Sequence, residues 1–385
     1  MLSDYSELAI AASKENKNVY CKFITPNDIG LTGGHQSGYH ISKSAWRMFF
    51  DSPGEKGENK DKNIAIEWQD DFETISRVVY YGTGTRNEYR LTRFGRGFSF
   101  LNDENLGSLL VLIRTGDDNY KAYVLQTELE IENYLNFFNI SADKANGLIH
   151  ELASTPASLQ ELINEYVNTL DRVFPSTIDL ASEAREIFLR ATGADKANAV
   201  QAPDSMVTGW IDTEFSLFKS VEAHVYSDKV GKPFSDIEQL IDFSNTILNR
   251  RKSRAGRSLE HHLAKIFDAN DVRYTAQGIT EGKKKPDFIF PSIESYHDTQ
   301  FGADKLTFLG AKTTCKDRWR QVLNEADRIP HKYLFTLQQG ISSNQLDEMK
   351  DNQVTLVIPE KNINTFPPLH REDILSLKKF ISIVK

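Results

Sequence analysis

The sequence predicts a protein of two domains, the first built mainly of β-strands and the second an α/β domain with a mixed sheet flanked by helices. Three observations lead to this prediction. Short segments of alternating apolar and polar residues, separated by turn residues, run as far as Leu125. Helical spacing of apolar residues begins after Thr127. From Ser258 onwards the segments follow the order α-β-β-α-β-α-β-α, which places helices on both faces of a sheet.

The strand candidates of the first domain are short, as in barrels and sandwiches. A polar, Gly-rich loop at residues 27–38 follows the first of them. The candidate segments are residues 19–24, 64–68, 74–81, 90–98, 109–113 and 121–125.

The helix candidates start where this strand pattern stops. They are residues 128–138, 157–170, 182–191, 214–225 and 236–249. Phe174-Pro175 interrupts the helical pattern, so we expect a first domain at 1–172, a linker at 173–177 and a second domain at 178–385.

The second domain begins its regular alternation with a helix that Ser258 is expected to cap. Apolar residues of that helix follow at i, i+4, i+7 and i+8 from Leu259. The later elements are strands at 287–290, 306–312, 332–337 and 353–358 and helices at 317–328, 342–350 and 371–383.

The composition is that of an ordinary globular protein, with 39% hydrophobic and 26% charged residues. No apolar run is long enough for a membrane span, and the first residues do not resemble a secretory signal. Only Cys21 and Cys315 occur, which excludes a disulfide framework and favours the cytoplasm. The net charge is −8, but two basic clusters, at 86–96 and 250–257, interrupt the acidic background.

Two acids and one lysine give the sequence its clearest chemical signal. Asp287 follows Pro286 at the start of a strand, Lys312 ends the next strand, and Glu325 lies on the predicted helix 317–328. Carboxylates that bind Mg²⁺, with a cation that orients water or phosphate, suffice for phosphodiester hydrolysis. The usual nuclease pattern places its second acid two residues before the lysine, where this chain has Gly310.

A structural interpretation of the same residues is also open. A Pro-Asp pair is common in turns, and Lys312 can extend its charged end into solvent. Glu325 and Gln321 form an ordinary surface pair at i, i+4. Glu260, on the helix that Ser258 begins, is a further acid that could reach the same cleft.

Longer segments resemble those of EcoRII-type restriction endonucleases. In the second domain they are NRRKSRAGRSLE (249–260), ITEGKKKPDF (279–288), KTTCKDRWRQ (312–321), LNEAD (323–327) and FTLQ (335–338). In the first domain they are TGGHQ (32–36), TRNE (85–88) and TRFGRG (92–97). The segment between about 127 and 235 resembles the family only loosely.

The resemblance implies that the second domain is a PD-(D/E)XK nuclease whose second acid has moved to a helix. Asp287, Lys312 and Glu325 then match the catalytic set, with Asp287 and Glu325 binding the metal and Glu260 as an accessory acid. The implied activity is that of a Type II restriction endonuclease. It cuts double-stranded DNA with Mg²⁺ at a CCWGG-like site, before the first C.

The resemblance also implies how DNA is recognised. Lys316, Asp317 and Arg318 would read the C·G pairs, since Lys and Arg donate to guanine and Asp accepts from cytosine N4. Arg251 is a further candidate for a guanine contact. The phosphate contacts would come from its basic neighbours Arg250, Lys252, Arg254 and Arg257.

The first domain would be a B3-like barrel that binds a second copy of the site as effector. Its candidate contacts are His35, Arg86, Glu88, Arg90, Arg93 and Arg96. The structural alternative for these arginines is a salt-bridged surface. Tyr89 stands where the family leads us to expect a basic residue.

A palindromic site and one active site per strand imply a homodimer through the catalytic domain. We expect the first domain to cover the catalytic cleft until effector DNA binds. A cognate DNA methyltransferase in the same prokaryotic cytoplasm would share the site without having to bind this protein. The alternatives are a non-catalytic, sequence-specific DNA-binding regulator and a nuclease that depends on modified cytosine.

Overall fold

The structure, a computed structural model, describes residues 5–32, 37–152 and 154–385. The chain forms two compact units. Unit 1 comprises Met1–Ala153, Gln338–Glu348 and Asn362–Glu372. Unit 2 comprises Ser154–Leu337, Met349–Lys361 and Asp373–Lys385.

Among its described residues, unit 1 contains one eight-stranded sheet, with order β2-β5-β4-β3-β7-β6-β1-β8. Its strands are β1 (Val19–Phe23), β2 (Tyr39–Ile41), β3 (Lys60–Trp68), β4 (Phe72–Tyr81), β5 (Glu88–Thr92), β6 (Leu109–Arg114), β7 (Asn119–Leu125) and β8 (Asn146–Leu148). The β3–β7 pairing is parallel and the others are antiparallel.

The sheet curls towards a closed barrel, and hydrogen bonds of side chains link its edge strand β2 to β1, the strand next to the other edge. Lys22 on β1 donates from Nζ to the carbonyl of His40 on β2 (3.1 Å). The N–H of Ser42, after β2, donates to the hydroxyl of Tyr20 on β1 (3.1 Å). The predicted mainly-β, barrel-like first domain is confirmed.

Alternation along the strands builds the core of this barrel. On β3, Ile64, Ile66 and Trp68 are buried while their neighbours are more exposed. The Trp68 ring meets those of Phe94 and Phe98 edge-on, at centroid distances of 5.8 and 4.6 Å. Aromatic residues from the turn after β5 therefore close the interior that the strands surround.

Three helices accompany the sheet: α1 (Tyr5–Glu15), α2 (Glu128–Phe138) and α3 (Ile149–Leu152). Helix α2 was predicted, and Thr127 and Glu130 form a capping box at its start. Helix α1 was not predicted, because it buries only the small residues Ser6, Ala9 and Ser13 and leaves Leu8 half-exposed. Such a face gives no apolar stripe to detect.

The remaining helices are α4 (Ala157–Val167), α5 (Thr177–Thr192), α6 (Lys196–Gln201), α7 (Pro203–Val230), α8 (Ile237–Ala269), α9 (Ile293–His297), α10 (Ser343–Asp351) and α11 (Leu377–Val384). Helix α4 packs with α5 and α7 around Ile163, Leu180 and Leu217. Residues 157–167, which the sequence assigns to the first domain, therefore pack in unit 2.

Helix α8 joins two helices that were predicted separately. Asp236 caps its start by accepting from the N–H of Gln239 (2.7 Å). Ser258, the predicted cap of the second helix, is buried in the middle of α8, so that expectation was wrong. Gly256 does not break the helix, because a single glycine costs only about 1 kcal/mol and the packing of the following stripe exceeds it.

The sheet of unit 2 has the order β13-β12-β11-β10-β9. Its strands are β9 (Thr275–Ala276), β10 (Phe288–Phe290), β11 (Thr307–Lys312), β12 (Lys332–Thr336) and β13 (Val354–Val357). β9, β10 and β11 pair antiparallel, whereas β11, β12 and β13 pair parallel. The predicted mixed sheet with accompanying helices is therefore confirmed.

Two predicted helices differ in the structure. Residues 317–328 contain only a 3₁₀ helix, Arg318–Asn324, so Glu325 lies after a helix rather than on one. The last helix, predicted from 371, begins at Leu377, with Ser376 as its cap. A 3₁₀ helix at Pro368–Asp373 precedes it.

Candidate active site

Asp287 lies directly before β10, is only 9% exposed and accepts two hydrogen bonds. The N–H of Ala311 on β11 donates to its Oδ2 (2.8 Å). The amide Nε2 of Gln277 donates to its Oδ1 (3.1 Å). Both donors follow from strand pairing, because β10 lies between β11 and β9. The sheet therefore fixes this carboxylate before any ligand arrives.

Lys312 ends β11, as predicted, and its side chain is half-buried. Its Nζ lies 3.9 Å from Asp287 Oδ2. This separation is long for a hydrogen bond but close enough for strong electrostatic attraction. The structure therefore brings together the first two predicted catalytic residues.

Gly310 shows why the usual second acid is absent from β11. A Cβ at this position would lie 3.0 Å from Val322 Cγ1 and 3.4 Å from Leu334 Cδ1. The 3₁₀ helix Arg318–Asn324 thus packs directly on the backbone where the acid would stand. The same packing brings the following residue, Glu325, towards the strand ends.

Glu325 has an extended backbone (φ −103°, ψ 144°) and a half-buried side chain. Burial, together with the nearby Asp287 carboxylate, raises its pKa above the ordinary value, while Lys312 and Lys332 oppose that rise. The electrostatic coupling with Asp287 and Lys312 associates Glu325 with the same site.

Glu260 reaches this site from α8. Its Oε2 accepts from Arg257 Nη1 and from Gln277 Nε2, both at 3.1 Å. Burial and then the Asp287 carboxylate raise the pKa of Glu260. The structure therefore joins the predicted accessory acid to Asp287 through a single amide group.

Gln277, which provides that amide, was not identified from the sequence. It lies directly after β9, opposite Asp287, and its N–H donates to the Asp287 carbonyl (3.2 Å). Its backbone is left-handed, with φ +54°, which is uncommon for a residue other than glycine. No motif marks it, because β9 has only two residues and lacks a readable alternation.

The site has the charge and the donor atoms that a hard cation requires. Gln277 joins Glu260 to Asp287, and the Asp287 carboxylate helps to raise the pKa of both Glu260 and Glu325. No group of three or more His, Cys, Asp or Glu side chains forms a preassembled metal site in the described part of the chain. Mg²⁺ needs only one or two carboxylates and keeps several waters, so the donor set fits this ion.

Two of the predicted base-reading residues lie in the turn after β11, and the third, Arg318, begins the 3₁₀ helix that follows. Lys316 is buried, Asp317 is exposed and Arg318 is half-buried. All three come within six residues of Lys312 along the chain. The turn therefore connects the end of the catalytic strand to these side chains.

The basic cluster on α8 divides into internal and external residues. Arg251 forms an ion pair with Glu222 of α7, with Nε 2.9 Å from Oε1. Arg254 is 1% exposed and stacks on Phe215 (3.6 Å), and burial lowers its pKa to about 10. Its expected phosphate contact does not fit a guanidinium enclosed in the core.

The other cations of this helix are accessible. Arg250 is exposed and lies 4.1 Å above the Phe174 ring. Lys252 and Arg257 are also exposed. The outward residues alternate with the internal ones at helical spacing.

The candidate effector residues of unit 1 divide in the same way. Arg90 is 7% exposed and donates to Asn27 Oδ1 (2.8 Å) and to Glu88 Oε1 (3.2 Å). Arg86, Arg93 and Arg96 are exposed. His35 lies outside the described residues, and Tyr89, where a basic residue was expected, is buried against Tyr80 and Phe50.

Acids and a lysine at the strand ends of a mixed sheet flanked by helices define a nuclease domain of the restriction-endonuclease type. Two family models agree with this class. Residues 218–381 match the EcoRII C-terminal model, and residues 13–135 match the N-terminal model of restriction endonuclease EcoRII.

The Type II restriction enzyme EcoRII of Escherichia coli is 33% identical over 410 aligned residues, which cover 99% of this chain and 97% of the relative. The chain therefore belongs to the EcoRII family of Type II restriction endonucleases, which are site-specific deoxyribonucleases.

Two solved structures show weaker similarity. Metal-depleted Ecl18kI in complex with uncleaved, modified DNA is 18% identical, with a TM-score of 0.45, covering 60% of this chain and 83% of that one. The restriction endonuclease PspGI–substrate DNA complex is 17% identical, with a TM-score of 0.43, covering 55% and 92%. Within the described residues of this chain, no helix is long and apolar enough to cross a membrane.

Proposed function

We propose that this enzyme hydrolyses double-stranded DNA with Mg²⁺ at a short CCWGG-like palindrome. The observation that carries the proposal is that Gln277 joins Glu260 to Asp287 beside Lys312. The raised pKa of Glu325, caused in part by Asp287, links this third acid to the same site. A group of acids in one cleft is electrostatically unfavourable without a cation. Its placement at the strand ends suits a phosphodiester that approaches from solvent.

Each residue of the cleft has its own part in this reaction. The N–H of Ala311 holds Asp287 Oδ2, and the other carboxylate oxygen faces Gln277, so the aspartate cannot rotate freely. Lys312 provides a positive charge beside Asp287, suited to orienting a water or a phosphate oxygen. Glu260, with its raised pKa, is suited to exchanging a proton with that water.

Asp287 and Glu325 are the residues that would hold Mg²⁺, with Glu260 as the accessory acid. When bound, this ion supplies charge neutralisation at the phosphate and at the leaving oxygen. The carboxylates supply hard oxygen ligands, and the remaining positions suit water and phosphate.

Sequence readout is proposed for the turn that follows Lys312. Arg318 would donate to guanine, as would Lys316 once DNA draws it from its buried position, and the exposed Asp317 would accept from cytosine N4. Because these residues are so close to Lys312 in the chain, correct base pairing would also place the scissile phosphate. Arg250, Lys252 and Arg257 would contact phosphates, and Arg251 would reach a guanine only after leaving Glu222.

Unit 1 is proposed to bind a second copy of the DNA site as an effector. The exposed side chains of Arg86, Arg93 and Arg96 support this role, whereas the buried Arg90 would act by holding the surrounding loop. Replacing Arg93 and Arg96 by Gln should reduce stimulation by a second site and lower the slope of log K against log salt by about 0.9 per lost contact. Equal cleavage of one-site and two-site DNA by the unaltered enzyme would exclude the effector role.

A homodimer through the catalytic unit is also proposed, and the first half of α8 supports it. Its apolar residues on one face are exposed: Ile237 (70%), Leu240 (45%), Ile241 (51%) and Leu248 (37%). Acids lie near its start and bases near residue 250, so two antiparallel copies would place opposite charges together. Stable interfaces bury about 1,200–2,000 Å², so this stripe would be one part of the contact.

Replacing Leu240 and Ile241 by Asp should convert the dimer to a monomer in light scattering. The control is Ile75→Asp, which places the same charge on another exposed apolar residue, in unit 1 (69%). If the protein with both Leu240→Asp and Ile241→Asp stays dimeric, the interface lies elsewhere.

The experiment that tests the proposed activity is cleavage of a DNA of known sequence, followed by sequencing of the fragment ends. Mg²⁺-dependent cutting before the first C of CCWGG-like sites is expected, with no cutting in EDTA. A regulator without catalysis would bind and never cut. A nuclease that depends on modified cytosine would cut only methylated DNA.

Autoinhibition by unit 1 remains a separate proposal. Adding a short duplex with one site should then accelerate cutting of one-site DNA by the full chain. If the added duplex only competes and slows cutting, unit 1 does not restrain the catalytic unit. The proposed domain limits, 1–172 and 178–385, predict that limited proteolysis cuts the chain between residues 172 and 178. A prokaryotic cytoplasmic location stays a prediction.

A further inference from the structure

Gln277 connects two acids that otherwise repel each other. Its Nε2 lies 3.1 Å from Glu260 Oε2 and 3.1 Å from Asp287 Oδ1. A primary amide has two N–H bonds, one for each acceptor, so the two carboxylates saturate it as a donor. The group therefore holds acids from α8 and β10 at one place without adding charge.

The backbone of Gln277 is held in this position at a cost. Its φ of +54° lies in the left-handed region, which disfavours residues other than glycine and is often retained at functional sites. The N–H of Gln277 donates to the Asp287 carbonyl (3.2 Å), which ends the β9–β10 pairing. The strained turn thus aims the side chain across the sheet edge towards α8.

Resting on the function proposed above, we infer that Gln277 is a positioning residue for the divalent cation, which it serves by keeping Glu260 beside Asp287. It acts through the carboxylates and not by binding the ion itself. Each carboxylate oxygen has more than one acceptor direction, so the amide can remain bonded while a cation takes the free positions. Partners behind metal ligands commonly change metal affinity by about 10- to 100-fold when they are removed.

Two substitutions separate this role from simple structural support. Gln277→Ala removes both hydrogen bonds and retains a residue with the same left-handed strain. Gln277→Glu has nearly the same shape but replaces the shared donor by a further acid between Glu260 and Asp287. Gln353 provides matched controls, because it is also a glutamine of unit 2 with a left-handed backbone (φ +56°) and an exposed side chain.

The test measures cation binding and cleavage on the full chain. Binding of Mg²⁺ or Ca²⁺ alone is followed by calorimetry and by the shift in Tm. The Mg²⁺ dependence of single-turnover cleavage is measured in parallel. We expect Gln277→Ala to raise the half-saturating Mg²⁺ concentration about 10-fold, with the rate at saturating Mg²⁺ changed less than about threefold.

Gln277→Glu should lower the Tm of the cation-free protein but strengthen cation binding relative to Gln277→Ala. The cation-free protein should melt at a lower temperature, because a further acid now joins the group, while the cation should bind more tightly than to Gln277→Ala. Gln353→Ala and Gln353→Glu should match the unaltered enzyme.

The inference is overturned if Gln277→Ala has the same Mg²⁺ dependence as Gln353→Ala, or if it loses the rate at saturating Mg²⁺ instead. An unaltered enzyme that neither cuts nor binds the cation would overturn the proposed function. These outcomes are distinct, because the first requires an active enzyme. Should Gln277→Ala fail to fold, Gln277→Glu is compared with Gln353→Glu instead. Equal cation binding and equal cation-free Tm for these two variants would overturn the inference.

Discussion

Unit 1 and unit 2 each contain a buried aspartate, and the surroundings of the two carboxylates differ in charge and in hydrogen bonding. Asp28 of unit 1 is 0% exposed and is surrounded by donors: Lys22 Nζ at 2.7 Å, the Thr25 N–H at 2.7 Å and the His40 N–H at 2.7 Å. Asp287 of unit 2 has two hydrogen bonds, a lysine at 3.9 Å and acidic neighbours.

The difference in hydrogen bonding separates Asp28, whose charge has a structural role, from Asp287, whose charge is proposed to bind a cation. Every oxygen of Asp28 is satisfied from inside the protein, so the residue needs no ligand and stabilises the loop it holds. The carboxylates around Asp287 are mutually unfavourable until a cation arrives. A buried charge that the fold leaves unbalanced therefore marks a binding site better than burial alone.

The largest expected effect is that of Asp287→Asn on cleavage. The rate should fall at least about 1,000-fold, since the proposed function assigns cation binding to this carboxylate. Without divalent cations the free energy of unfolding should rise by up to about 1 kcal/mol, because one of the repelling charges is gone. Plasmid cleavage and urea unfolding measure the two quantities, with Asp351→Asn as an exposed control.

Asp28→Asn should affect the two quantities in the reverse way, with a large loss of stability and a small effect on the cleavage rate. Removing one partner of a buried ion pair should lower the free energy of unfolding by about 3 kcal/mol. The matched control Asp118→Asn breaks an exposed pair with Lys62 and should cost less than about 1 kcal/mol. If Asp28→Asn were neutral while Asp287→Asn unfolded the protein, the distinction between the two aspartates would be wrong.

Divalent cations should stabilise one of these variants and not the other. At ten times its dissociation constant, Mg²⁺ should add about 1.4 kcal/mol to the unaltered protein and to Asp28→Asn. Asp287→Asn should gain much less. Thermal melts at several Mg²⁺ concentrations check this, and equal shifts for both variants would place the cation away from Asp287.

The smallest expected effect is the pH dependence that Glu260 contributes. The pKa of Glu260 is raised in the folded protein, so the folded state holds this proton more tightly than the unfolded chain does. Its contribution is complete below the ordinary carboxyl pKa and is lost as pH rises through the raised value. In EDTA, the unaltered protein should therefore lose stability relative to Glu260→Gln as pH rises.

Urea unfolding between pH 4 and 8 measures that difference. The control is Asp61→Asn, because the hydrogen bond from Arg77 lowers the pKa of Asp61 and moves its titration to more acidic pH. Its difference from the unaltered protein should stay constant above pH 5. If the difference in unfolding free energy between Glu260→Gln and the unaltered protein is equally constant, Glu260 is not coupled to the other acids.

Much of the catalytic unit could be read from local patterns. The strands that carry Asp287 and Lys312 were predicted within a residue or two, because apolar runs bounded by turn residues are local signals. The predicted helix for Glu325 was wrong, since apolar spacing cannot distinguish an α-helix from the 3₁₀ turn that packs on Gly310. Gln277 gave no signal at all.

The arginine clusters show the same limit. Clustering in sequence correctly indicated where positive charge gathers, but it could not show that Arg90 and Arg254 turn inwards while Arg93 and Arg257 face solvent. Only the sheet and helix faces decide which side of the chain each guanidinium occupies. One cluster thus contains both supports and candidate DNA contacts.

The sequence alone determined the class of each unit, the family and the residue types available for chemistry, because periodicity and local motifs are properties of neighbouring residues. The tertiary structure decided which charges meet. Glu260 lies on helix α8, Gln277 directly follows β9 and Asp287 directly precedes β10. The 3.1 Å contacts from Gln277 to the two acids arise only when those elements pack. Electrostatic imbalance depends on distance through space, which sequence order does not encode.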